Sequence, residues 1–160
     1  MVASVTVKTN SVQLSKQFRN IQRKFPSAIK RALANVSAFQ IANIKDRTQR
    51  KGISVNGNQF KPYSKKYKRR LVKQSGVVDL TDTGQMFSSL TSKITPSKGT
   101  LFFRQASANK KAFYHDIVGA GKSRVVRPFF GINDREADKI GQLFADIIFK
   151  DIGLWASEKI

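Results

Sequence analysis

From Leu14 onward, apolar side chains return every three or four residues: Leu14, Phe18, Ile21, Phe25, Ile29, Leu33 and Val36, then the run from Ala38 to Ile44. That is the period of an α-helix carrying one apolar stripe. A stripe this long is stable only when other elements are laid along it, so it sets the architecture for the rest of the chain. Lys16, Arg19, Arg23, Lys24, Lys30 and Arg31 occupy the other faces. Pro26 has no amide hydrogen and its ring clashes with the preceding turn, so the helix is expected to kink or divide there, with Ser27 to Arg50 as its uninterrupted part. The chain has 160 residues and 40% apolar content, enough to close one modest core, and a single domain over residues 1–160 is expected.

The remaining elements follow from local signals. Val2 to Val7 alternate with β-branched residues and read as a first strand. Residues 52–62 hold two glycines, two asparagines and Pro62 without sustained periodicity, which predicts a flexible loop or arm. A short basic helix is expected from Ser64 to Gln74, and another short helix from about Thr83. Ser92–Thr95 and Thr100–Gln105 read as hairpin strands joined by a turn from Pro96 to Gly99, since proline pre-sets φ and glycine accepts the end of the turn. A helix over Ala108–Val118 and a strand over Arg124–Ile132 come next. Asn133 with Glu136 three residues on resembles a capping box opening a last helix, with its stripe at Ala137, Ile140, Phe144, Ile147 and Ile148 and its end near Gly153. The predicted class is α+β: a small, mostly antiparallel sheet covered by a long N-terminal helix and a C-terminal helix.

Charge narrows the function classes. Lysine and arginine number 30 against 10 acids, a formal +20. Residues 1–78 carry 18 of these cations against one acid, Asp46, and residues 79–160 carry 12 against nine acids, so a net +17 faces a net +3. The densest run holds Lys61, Lys65, Lys66, Lys68, Arg69, Arg70 and Lys73, interleaved with Tyr63 and Tyr67, and no acid lies between Asp46 and Asp79. Solvated helical faces normally mix signs. This one points to a polyanionic partner: nucleic acid, an acidic protein surface or an anionic membrane.

Catalytic and metal chemistry find little to work with. There is no cysteine and one histidine, His115, which removes disulfide frameworks, thiolate metal sites and histidine clusters. Gly121-Lys122-Ser123 matches the end of a phosphate-binding loop, but the glycine required five positions before Gly121 is Asp116. Asp79, Asp82 and Asp116 are too scattered for a two-metal centre. Asp134, Glu136 and Asp138 are explained by the first turn of the last helix, where carboxylates meet the positive dipole end. His115 beside Asp116 could act as a base, but no nucleophile has a recognisable elbow around it. The expectation is a non-enzymatic binding protein without cofactor or metal. Met1 to Asn10 show no basic segment leading into an apolar one, and no apolar run is long enough to span a membrane, so a soluble intracellular product is expected.

Five phrases in order resemble the phage virion-morphogenesis or tail-completion family, related to the neck proteins that join a capsid portal to a tail. They run from Phe25 to Leu33, from Gly57 to Tyr67, from Asp79 to Leu90, from Ala112 to Gly119 and from Arg127 to Ile132. Asp116-Ile117-Val118 departs from the tighter aromatic or glutamine-containing phrase such proteins usually carry after the histidine. The resemblance implies a small structural α+β subunit of the virion neck or tail top, forming or joining a sixfold or twelvefold ring around the DNA channel. Its implied partners are further copies of itself, neck or stopper, tail-terminator and tail-tube proteins, and genomic DNA held non-specifically. Lys61, Lys65, Lys66, Lys68, Arg69, Arg70 and Lys73 would face the partner or DNA. Phe60, Pro62, Tyr63, Tyr67, Gly84, Met86, Leu90, His115, Arg127, Phe129 and Phe130 would be interface or motif positions. The alternative is a stand-alone basic nucleic-acid-binding module, suggested by the tyrosines among the lysines.

Overall fold

The computed structural model describes residues 11–69 and 77–153, apart from the Ser11 side chain. The expected strand over Val2–Val7 and the end of the basic helix, Arg70 to Gln74, lie outside the described residues. The fold is α+β. Helix α1 (Ser11–Lys45) runs on through a π-helical turn at Asp46–Arg50. Two short helices follow, α2 (Lys65–Lys68) and α3 (Gln85–Ser88), then the hairpin β1 (Leu90–Ile94) and β2 (Gly99–Phe103). Helix α4 (Ala106–Phe113) passes into a second π-helical turn at Tyr114–Val118, and α5 (Asp134–Ile152) closes the order.

Pro26 does not divide α1. Both Pro26 and Gln22, whose carbonyl loses its amide donor there, are exposed, so water can replace the missing bond. Ser27 Oγ also donates to the Lys24 carbonyl at 2.7 Å, satisfying the neighbouring acceptor. Beyond this point Ala28 and Ala32 are fully buried against Ile148 and Ile152 of α5. Small residues on one helix and branched ones on the other let the two axes approach closely. The Arg31–Asp151 ion pair at 3.0 Å and the Gln40–Glu136 hydrogen bond at 2.9 Å fix the helices antiparallel. At its start α5 has the expected capping box, Asn133 accepting from the Glu136 amide while Glu136 reaches back to the Asn133 amide. At its end Gly153 takes the left-handed conformation, with φ 82°.

The main core lies where the C-terminal part of α1 meets the hairpin, α3 and α4. Ile44, Phe60, Leu80, Met86, Phe87, Leu90, Phe103, Ala108, Ala112 and Phe129 form it. The hairpin pairs Leu90 with Phe103 and Ile94 with Gly99; β1 starts two residues and ends one residue before the expected Ser92–Thr95, and β2 starts one and ends two before the expected Thr100–Gln105. Gly99 lets the hairpin lie down on α1: a Cβ there would stand 2.8 Å from Ser37 Oγ.

Two expectations are corrected. Residues 124–132 are not a strand; they make a single antiparallel bridge, Ala120 with Val125, and then run without a ladder. Pro128 has no amide to offer, and the amides of Phe129 and Phe130 are taken by the Asp116 carboxylate at 2.8 and 2.9 Å. Residues 52–62 are a docked loop and not a free arm. Ile53 bridges to Gln59, the Ile53 amide donates to the Arg47 carbonyl at 2.9 Å, the Val55 amide to the Pro128 carbonyl at 2.9 Å, and Phe60 is buried in the core.

Candidate functional site

The family-like phrases are tied together around Arg127. This side chain is buried, and it donates from Nε to the Lys61 carbonyl at 3.0 Å and from Nη2 to the Pro62 carbonyl at 3.2 Å. Its guanidinium lies over the Tyr63 ring, 5.2 Å from the centroid, a cation–π contact in a partly dry setting. Its amide donates to the His115 carbonyl at 2.7 Å. Tyr63 Oη in turn accepts from the Leu80 amide at 2.9 Å, and its ring leans on Tyr67 at 5.0 Å. Burial, with the Asp79 carboxylate nearby, pushes the Tyr63 hydroxyl up to about 12, so it stays protonated.

Beneath this cluster a second polar network holds the 127–131 segment. Arg47, buried on α1's π-helical turn, pairs with Glu136 through Nη1. Its Nη2 donates to the carbonyls of Phe129 at 2.8 Å and Gly131 at 2.7 Å. Gln40 Nε2 adds bonds to the Gly131 carbonyl and Glu136 Oε2, both at 2.9 Å. Burial pushes the Glu136 carboxyl up, but the bonds from Arg47 and Gln40 outweigh it and hold the group below its ordinary value. One ion pair thus fastens α1, the start of α5 and the Phe129 loop together.

Above the cluster is an open cleft of about 170 Å³ that brings Tyr63, Tyr67, Gly84, Met86 and His115 together, with Lys111 and Asp82 at its edge. Gly84 takes φ 76° at the start of α3, a conformation other residues resist. Burial and the neighbouring Arg127 charge lower the His115 pKa, so the ring is neutral at pH 7. Asp116 Oδ1 accepts from the Phe129 and Phe130 amides, and the buried Nδ1 of His115 has no hydrogen-bond partner. Among the described residues no group of three histidine, cysteine or carboxylate side chains could hold a metal ion.

Beside the cleft, α2 is capped by Ser64, whose Oγ accepts from the Tyr67 amide at 3.3 Å. Lys61, Lys65, Lys66, Lys68 and Arg69 are all exposed, as is Pro62. Arg70 and Lys73 lie outside the described residues. Of the expected interface or motif positions, Phe60, Met86, Leu90 and Phe129 are buried in the core. Phe130 is half-buried and packs on Phe103 at 5.4 Å. Arg47 and Gln40 are not among the residues singled out in the sequence, and Asp116, weighed there as a metal or base partner, instead holds the Phe129 and Phe130 amides. Arg47 did carry a signal: it falls on α1's stripe three residues after Ile44, where a charge must find a buried partner. No helix among the described residues is long and apolar enough to cross a membrane. No protein-family model, curated protein or solved structure matches this chain.

Proposed function

We propose that the chain is a structural subunit of a phage neck or tail-completion complex, a ring member at the head–tail interface that enables DNA-filled heads to join tails. One observation carries the reading. The phrases that resemble the family are separated in sequence but bonded to one another: Arg127 to Lys61 and Pro62, Tyr63 to Leu80, and Asp116 to Phe129 and Phe130. What they build is a hydrogen-bonded platform that holds the exposed basic α2 beside an open cleft. Such a platform suits docking on acidic neck, stopper, tail-terminator or tail-tube surfaces, where charge complementarity governs rate and register. Cations turned to the channel would hold genomic DNA non-specifically.

The test is to replace Lys65, Lys66, Lys68, Arg69 and Arg70 together by glutamine in the replicon that encodes the chain. The expected result is a normally folded protein and an accumulation of filled heads separate from tails. Unchanged infectious yield contradicts the docking role. A second reading, a stand-alone nucleic-acid-binding module, is favoured by Tyr67, exposed between Lys66 and Lys68. Nanomolar, steeply salt-dependent binding of short DNA or RNA by the lone monomer would select it instead.

A further inference from the structure

The outward side of α1, away from its apolar stripe, carries a row of cations that the fold does not use. Lys16, Arg19, Arg23 and Lys30 follow one another along one continuous helix. At 3.6 residues per turn they fall within an arc of about 60°, a straight ridge roughly 21 Å long. All four are exposed, and none forms an ion pair among the described residues. Arg19 Nε donates to the Ser15 carbonyl and Arg23 Nη2 to Asn20 Oδ1, both at a long 3.4 Å, which engages one donor of each guanidinium. No acid occurs before Asp46, so like charges three and four apart on this ridge repel without relief. A polyanion laid along the ridge removes that repulsion.

The chemistry of the ridge selects among polyanions. Asn20, Lys24 and Ser27, which fill its flank, are polar and exposed, and every isoleucine and phenylalanine between Lys16 and Lys30 lies on the other side of the helix. An acidic protein surface would find no apolar centre here, and protein interfaces are built around one. A helix lying in lipid buries its apolar stripe, which leaves this ridge turned to water. Single-stranded nucleic acid is held by aromatic stacking as well as by charge, and the ridge has no aromatic side chain. The backbone of a duplex asks for neither stacking nor apolar cover. It presents a continuous line of phosphates, about six on each strand over the length of the ridge.

We infer that the outward ridge of α1 is a contact surface for duplex DNA, on which Lys16, Arg19, Arg23 and Lys30 track phosphates without reading sequence. The inference deepens the DNA contact proposed above, on which it rests, by naming the surface that makes it. Cations on phosphates position a protein and carry no base information, so the ridge holds any sequence alike. The lysines of α2, with Tyr63 and Tyr67 among them, are left to the protein partner.

The test measures binding of the purified full chain to two short fluorescent DNA duplexes of unrelated sequence, by anisotropy across a salt series, with circular dichroism as the folding control. One variant carries Lys16→Gln, Arg19→Gln, Arg23→Gln and Lys30→Gln. A charge-matched control carries Lys61→Gln, Lys65→Gln, Lys66→Gln and Lys68→Gln. Wild type is expected to bind both duplexes alike, in the micromolar range of non-specific contacts, and more weakly as salt rises. The slope of log K against log salt is expected to shrink by about 3–4 in the α1 variant and by no more than about 1 in the control. Arg19→Gln and Arg23→Gln are expected to remove about 1 each when made singly. Equal slopes in wild type and the α1 variant, a larger loss in the control, or a clear preference for one duplex overturns the inference while leaving DNA binding intact. A wild type that binds neither duplex removes the DNA contact itself, and this inference with it. Tighter binding of poly-glutamate or anionic phospholipid vesicles than of duplex, lost in the α1 variant, would give the ridge to acidic protein or lipid and also overturns the inference.

Discussion

Residues 12–27 and 28–45 of α1 continue one apolar stripe on one helix, yet the second half is buried and the first is not. From Ala28 the stripe meets α5, and by Ile44 it has turned into the main core. Before Ala28, Leu14, Phe18 and Phe25 face solvent. The difference teaches that periodicity establishes which face of a helix is apolar, whereas the reach of neighbouring elements decides which part of that face is covered.

The comparison is broken most forcefully in the buried half. Arg47→Ala removes the charge partner of Glu136 and the Arg47 bonds to the carbonyls of Phe129 and Gly131, with Gln40 left to serve Glu136 and Gly131, and a loss of about 3–5 kcal/mol in urea unfolding is expected. Ile44→Ala, which empties a core site, is expected to cost about 2–5 kcal/mol by the same measurement. Either variant unfolding at the wild-type midpoint would refute the burial described for this half.

Acid titration probes the same fastening more gently. Glu136 is held below its ordinary value, so its contribution is full above the unfolded pKa, near 4.5, and fades as pH falls through the lower folded value. Glu136→Gln should therefore flatten the decline of stability below about pH 4.5 relative to wild type; an unchanged acid limb would contradict the pairing. His115 likewise has a lowered pKa, and stability linked to it is full above about 6.5 and declines as pH falls. The midpoint of its imidazole shifts in an NMR titration should fall below 6.5, and a midpoint above 6.5 would contradict its burial. The smallest effect belongs to the projecting half. Phe18→Ser should change monomer stability by no more than about 0.5 kcal/mol, and a core-sized loss would mean the two halves of α1 are equally covered.

Local chemistry was legible in the sequence where it acts over a few residues. The Asn133–Glu136 capping box, the Gly153 stop and the hairpin turn at Pro96 each carry their cause within one turn of chain, while Gly99 opens β2 and does not end the turn. The misread segments depend on distant atoms. The 52–62 loop looked like an arm because its anchors, the carbonyls of Arg47 and Pro128, lie outside it. Residues 124–132 looked like a strand because their alternation is genuine, but Pro128 and the Asp116 carboxylate replace the ladder. Part of the candidate site was legible as well: Tyr63, Tyr67, Gly84, Met86 and His115 share one cleft. The Arg47–Glu136 pair beneath it was not, because a partner 89 residues away leaves no local pattern. The exposed start of α1 was hidden for the same reason, since nothing near Phe18 tells where α5 will end.

The central claim is that this polypeptide is a building part of a particle and performs no reaction of its own. Quantitative mass spectrometry of intact virions purified from the replicon that encodes it tests that claim most directly. The account predicts the chain in every joined particle at a stoichiometry of several copies, in keeping with a ring. Its absence from joined, infectious particles would contradict the account.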